Sequence, residues 1–137
     1  MKEIKFKSTL EKDVYLQLKA EFINSRYENE KFNYTIPESD HTYTPDFKVR
    51  KIDKGIMYLE CKGVGPRYGL TVQCRRKMLL VKEQYPYVDF RFIFWNAYAT
   101  LGKGLKSTKY WEWAEQKGFK WCHKKIPKEW FREMGGK

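Results

Sequence analysis

No run of apolar residues in this chain approaches the roughly 20 that a membrane-spanning helix needs, so a transmembrane protein is not expected. No apolar stretch follows Met1-Lys2-Glu3-Ile4-Lys5, so a secretory signal is not expected either. Cysteine is scarce. Cys61, Cys74 and Cys122 are odd in number and scattered, with no Cys-x-x-Cys pair. Neither a disulfide framework nor a zinc site follows, and a reducing cytoplasm is the natural setting. Repeats and low-complexity tracts are missing. Acidic residues are also in deficit: 17 Asp and Glu face 28 Lys and Arg, a net charge of +11. That surplus suggests a polyanionic partner, although charge alone leaves a ribosomal or membrane-surface protein open. Aromatic residues, by contrast, make up 18% of the chain. They argue against disorder and supply a core, with ring surface to spare for bases. A chain of 137 residues suffices for one domain. No break in composition marks a second.

The scarce acids are placed with purpose. His41-Thr42-Tyr43-Thr44-Pro45-Asp46-Phe47 is followed by Leu59-Glu60-Cys61-Lys62-Gly63. Gly55 to Lys62 reads as a strand bounded by glycines. Alternate residues of a strand share a face. Glu60 and Lys62 therefore point one way, and Met57, Leu59 and Cys61 point the other way into the core. Asp46-Phe47-Lys48-Val49 reads as the preceding strand, with Pro45 fixing its entry and a turn near Asp53-Lys54-Gly55. Pairing the two brings Asp46 to Glu60. Two carboxylates suit a hard divalent cation such as Mg²⁺. Such an ion acidifies water and neutralises charge on a phosphodiester, while Lys62 orients the water or steadies the phosphate. The order Pro-Asp, hairpin, Glu-x-Lys resembles the site of the PD-(D/E)xK nucleases. Taken alone, Glu-x-Lys is a weak signal, since a solvated strand face carries such pairs commonly.

Around this hairpin the periodicities set out an α/β chain. Ser8 and Glu11 fit a capping box. Leu10, Val14, Leu18 and Phe22 form an apolar stripe on a helix expected to run to about Ser25. Glu11 borders that stripe, as a cap residue or as a third acid of the site. Phe32, Tyr34 and Ile36 alternate as a strand that Pro37 ends. His41 and Thr42 sit in the polar turn before the hairpin, and His41 is either structural or a proton shuttle. Gly63 to Gly69 is a flexible loop whose Arg67 stands ready for substrate. A helix over about 70–84 has Leu70, Cys74, Met78 and Val81 on its apolar side, with Arg75, Arg76 and Lys77 clustered near its middle. That cluster is a solvated face or a phosphate contact. Val88 to Trp95 reads as a strand entering the middle of a sheet. Thr100 to Ser107 is a Gly-Lys loop without the Walker pattern. Its Lys103 and Lys106 are backbone-phosphate contacts or solubility charges. A helix at 110–117 stops at Gly118, Phe119-Lys120-Trp121 is an edge strand, and Pro127 opens a last helix. Trp111, Trp113, Trp121 and Trp130 are assigned to core and interface.

The run His41 to Phe47, together with Glu60-Cys61-Lys62-Gly63, Lys82-Glu83-Gln84-Tyr85-Pro86, Asp89-Phe90-Arg91 and Lys125-Ile126-Pro127-Lys128-Glu129-Trp130, resembles the phage endonuclease I family. The resemblance covers most of the chain. It implies a restriction-endonuclease-like α/β fold, a mixed central sheet flanked by helices, in a homodimer with exchanged elements. Residues 1–137 would form one nuclease domain, with residues 1–26 exchanged and 27–40 as the bridging strand. Each site would then be composite, Glu11 coming from one chain and Asp46, Glu60 and Lys62 from its partner. Asp46, Glu60 and the Cys61 backbone carbonyl would hold Mg²⁺, or Mn²⁺, and Glu11 would reach a second ion. The implied activity is metal-dependent resolution of four-way (Holliday) junctions and other branched DNA by paired nicks, in the cytoplasm of an infected host. His41, Thr42, Arg67, Arg75, Arg76, Lys77, Lys103 and Lys106 are the candidate DNA contacts. The stretch Arg50-Lys51-Ile52-Asp53-Lys54 lengthens the hairpin tip relative to the family and is a further possible contact. The terminal tails look short for it. Two alternatives stand beside this: a general Mg²⁺-dependent nickase of the same superfamily, and a non-catalytic architectural protein that binds branched DNA.

Overall fold

The computed structural model describes residues 4–36, 39–102 and 105–136, with the backbone alone at 36, 39, 40 and 105–107. The described elements run α1 (Thr9–Ala20), β1 (Ser25–Tyr27), β2 (Phe32–Ile36), β3 (Ser39–Tyr43), β4 (Phe47–Arg50), β5 (Ile56–Lys62), α2 (Gly65–Tyr68), α3 (Val72–Gln84), β6 (Asp89–Phe94), β7 (Thr100–Gly102), β8 (Leu105–Lys109), α4 (Tyr110–Gln116), β9 (Lys120–His123) and α5 (Lys128–Met134). The central sheet has the order β1-β4-β5-β6-β9. Its first two pairings are antiparallel and its last two parallel, so the sheet is mixed, as expected. β6 lies inside it and β9 forms an edge.

Alternation along β5 and β6 sends side chains into two cores. Tyr58, Phe90, Phe92 and Phe94 pack with Cys74, Met78 and Val81 of α3 and Tyr110, Trp113 and Ala114 of α4. Met57, Leu59, Cys61 and Ile93 pack with Leu10, Val14 and Leu18 of α1 and Trp130, Phe131 and Met134 of α5. Full burial of each such aliphatic side chain is worth about 1.5–3 kcal/mol. Because helices cover both faces, Glu60 and Lys62 point towards α3 and not into open solvent. β5 is buried along nearly its whole length.

Four expectations change. α1 ends at Ala20 and not near Ser25. Phe22 takes a left-handed backbone, φ 59°, and the Ile23 amide returns to the Leu18 carbonyl at 2.9 Å. That geometry closes a helix, and it releases Ser25–Tyr27 to pair with β4. His41 and Thr42, expected in a polar turn, lie in β3, which pairs with β2. The Gly-Lys loop is a hairpin, β7 against β8. The long tip between β4 and β5 turns away from the site end of the sheet to meet α5: the Ile52 amide donates to the Glu133 carbonyl at 2.8 Å and Lys51 pairs with Asp89 at 3.1 Å. Buried Arg91 ties the same corner together, bonded to Asp89 and Glu133 and lying over the Trp130 ring.

Candidate active site

The site grows from the register of one hairpin. Phe47 pairs with Leu59, so one step further Asp46 meets Glu60 and Cys61. The Cys61 amide donates to Asp46 Oδ2 at 2.8 Å. Glu60 is held at both oxygens: Tyr43 donates its hydroxyl to Oε1 at 2.6 Å, and Lys62 Nζ sits 3.1 Å from Oε2. The period-two reading of Glu60 and Lys62 is therefore what the backbone delivers.

A second wall comes from the other side of the sheet. Ser8 Oγ accepts from the Glu11 amide at 3.1 Å, the expected cap. The reciprocal half of the box is missing. The Glu11 carboxylate accepts instead from the Lys7 amide at 3.3 Å and from the Tyr27 hydroxyl. Glu11 thus receives the Ser8 cap at its backbone amide and turns its carboxylate towards the candidate site. Nothing in the sequence pattern singles out Glu28. It follows β1 with a left-handed backbone, φ 46°, its amide donates to the Asp46 carbonyl at 2.9 Å, and Lys7 pairs with its carboxylate at 3.2 Å. Oxygens of Glu11, Glu28 and Asp46 all lie within 4.8 Å of one another. Glu60 stands beside this triplet, outside its tightest grouping. α1 seats Glu11 against Asp46 of its own chain.

Crowded carboxylates resist ionisation. Burial, then the charges of Glu60 and Glu11, push the Asp46 carboxyl well above its ordinary range, against the Cys61 amide and Lys62. Burial alone would lower Lys62. The charge of Glu60 and the hydrogen bond to it outweigh that and raise its pKa, so the ammonium stays charged. Burial and the neighbouring Glu60 keep the Tyr43 hydroxyl protonated as a donor.

These groups open into a cleft of about 950 Å³. Of the expected DNA contacts, Thr42, Arg67 and Lys77 line it. His41 does not: it stacks against Tyr34 at 5.6 Å, beside a separate hollow shared with Arg76. Arg75, Arg76 and Lys77 form no single patch, because consecutive helical residues are turned by about 100°. Arg75 is buried, Arg76 exposed, and Lys77 reaches over the Tyr43 ring at 5.4 Å. Lys103, and the side chain of Lys106, lie outside the described residues. Gly63 to Gly69 carries the short helix α2 at the mouth. Trp95, also unforeseen, lines the cleft.

Three carboxylates at this spacing, one of them resisting its charge, are a hard-oxygen donor set that fits a small divalent cation. The cleft can hold such an ion between acids on one side and a fixed ammonium on the other, which suits a phosphoester. Comparison with known proteins agrees in kind. The family model "Phage endonuclease I" matches residues 1–137. Endonuclease I of Escherichia phage T7 is 41% identical over 128 residues, covering 93% of this chain and 79% of the relative. Endodeoxyribonuclease 1 of Enterobacteria phage T3 is 40% identical over 122 residues, covering 89% and 74%.

Proposed function

We propose, from the premise that the chain belongs to the phage endonuclease I family, that it is a divalent-metal-dependent DNA endonuclease that resolves four-way junctions by paired nicks. One observation carries the reading: three acids and Lys62 converge on one cleft in a chain of net charge +11. Asp46, Glu11 and Glu28 would hold Mg²⁺ or Mn²⁺, with Glu60 and the Cys61 carbonyl able to complete the set. When bound, the metal supplies positive charge against the phosphate and acidifies water. The chain's own groups do the rest. Lys62, locked to Glu60, offers a fixed positive charge where negative charge builds on the phosphate. Tyr43 prevents Glu60 from rotating away. Lys77 and Arg67 on the cleft wall hold flanking phosphates and fix register without reading sequence.

We propose further that the working form is a homodimer in which α1 and β1 are exchanged. Exchange keeps the α1–sheet interface unchanged and requires that the β2–β3 hairpin open into a bridge, which also displaces β2 from α3, where Thr35 and Gln84 exchange two hydrogen bonds. Two sites at a fixed angle would then select a branched shape, in the cytoplasm of an infected host.

The test is cleavage of a labelled four-way junction beside a linear duplex of the same arms, with Mg²⁺ and with EDTA. Paired nicks near the branch, on the junction and only with metal, are expected. Equal cutting of both substrates would reduce the protein to a general nickase. Tight junction binding without any cutting would make it architectural.

A further inference from the structure

The parallel strands β5, β6 and β9 all end at one edge of the sheet. In α/β sheets that carboxyl edge is where ligands gather. β5 ends there with Lys62. β6 runs out into Trp95, whose amide donates to the Lys62 carbonyl at 2.9 Å. β9 ends with His123 and turns sharply at Lys124, a non-glycine residue with φ 62°. The turn is held by the Lys124 amide on the Phe94 carbonyl at 2.8 Å. It sets the Lys124 ammonium 5.0 Å from the centre of the Trp95 ring. A large residue in a left-handed conformation costs free energy and recurs where a site needs its side chain aimed.

Trp95 is still 44% exposed, and it lines the same cleft as Asp46, Glu60 and Lys62. Two more exposed rings lie near the same edge of the sheet. Tyr68, with Arg67 at 5.3 Å, shares the cleft. Tyr98 packs on His123 at 4.8 Å. Neither core uses these rings. Exposed aromatic faces interleaved with cations are the physical pattern of a surface on which nucleic-acid bases stack while phosphates are held alongside. Paired and stacked bases in a duplex present no free face. A ring in this position engages only a nucleotide that has left the stack.

We infer that Trp95 is a stacking platform for an unpaired DNA base next to the scissile phosphate, with Lys124 holding the adjoining phosphate. The platform rests on the nuclease reading above and narrows it: the substrate is DNA with an opened nucleotide at the cut, as at a branch point. It makes Trp95 a selectivity residue and leaves the bond-breaking groups as they are.

The experiment uses the full chain in EDTA, so that binding is seen without cutting. The probes are a four-way junction with 2-aminopurine beside the branch and a linear duplex with the same label. Wild type is expected to quench the junction label and leave the duplex label alone. Trp95→Ala should abolish that quenching and weaken junction binding about tenfold, within the range measured for loss of one stacked base. Trp95→Phe should keep most of both. If Trp95→Ala melts early, Trp95→Leu fills the space without a π face and gives the same comparison. Quenching and affinity unchanged in the Ala or Leu variant would overturn the platform while leaving the nuclease reading intact. Trp95-dependent quenching of labelled single strands, in a protein that cuts junction and duplex equally, would support the platform and remove the junction claim.

Discussion

Asp46→Asn should abolish cutting and, without metal, make the protein more stable. Glu11, Glu28 and Asp46 hold oxygens within 4.8 Å of one another. At an effective dielectric of about 20, two unit charges at that separation repel by about 3 kcal/mol. Lys7 and Lys62 relieve part of this, and the cleft is open to water on one side. A net gain of about 1–2 kcal/mol on removing one charge is the reasonable expectation. Asparagine can still accept from the Cys61 amide, so the hairpin register survives. For a chain of this length that gain corresponds to a melting temperature higher by roughly 3–10 °C. The assay is thermal unfolding by circular dichroism in EDTA and in MgCl₂. Mg²⁺ should raise the wild-type midpoint and move the variant little. The pH dependence carries the sign. Asp46 is raised in the folded state, so its ionisation destabilises folding as pH climbs. The variant's advantage should be largest near about pH 8 and shrink as pH falls towards the ordinary carboxyl range. A variant that melts at or below the wild type in EDTA at about pH 8 would refute the repulsion argument and recast Asp46 as a structural residue. Glu28→Gln should show the same sign with a smaller gain, because Lys7 already answers its charge.

Co-expressed Glu11→Ala and Lys62→Ala chains, each inactive alone, should regain nicking if α1 is exchanged, because one of the two composite sites is then intact. No recovery in a purified mixed dimer would remove the exchange. At the other corner, Arg91 lowers Asp89 and Glu133 below their ordinary values, against the burial of each. Stability from that corner is complete above the unfolded carboxyl range and is lost as pH falls through the folded values. Glu133→Gln should therefore lower the melting temperature at neutral pH and converge with wild type below about pH 4, as followed by unfolding at stepped pH. Because Glu133 is partly solvated, the neutral-pH loss should be about 1 kcal/mol or less.

The hairpin carrying Asp46, Glu60 and Lys62 was legible because everything it needs is local: a period of two, a turn and a proline. Both faces of β5 followed from the same alternation, whereas the mixed sheet was implied by the family resemblance. Glu28 was not legible. It sits past a three-residue edge strand, and it reaches the acids only through the β1–β4 pairing and a left-handed backbone that glutamate rarely adopts. The basic run on α3 misled for the opposite reason. Three adjacent cations look like a cluster in one dimension, and a helix sends them in three directions. The sequence of the β7–β8 hairpin reads as a loop because glycine and lysine dominate its turn. In the sequence Trp95 reads as the end of a buried strand, and nothing local says that the sheet stops one residue earlier.

The β4–β5 tip has a consequence for how such chains can change over evolutionary time. The Asp46–Glu60 meeting is set by the Phe47–Leu59 rung at the site end of the ladder, while the tip fastens to α5 at the far end. Residues inserted in pairs at the tip lengthen both arms equally and leave that rung where it is. An odd insertion is harmless only if a bulge in the turn absorbs it, since otherwise every inward side chain on one arm would turn outward. Drift in hairpin length is therefore nearly silent to the chemistry. A search keyed to a fixed number of residues between the aspartate and the glutamate would overlook kin that share the same candidate site.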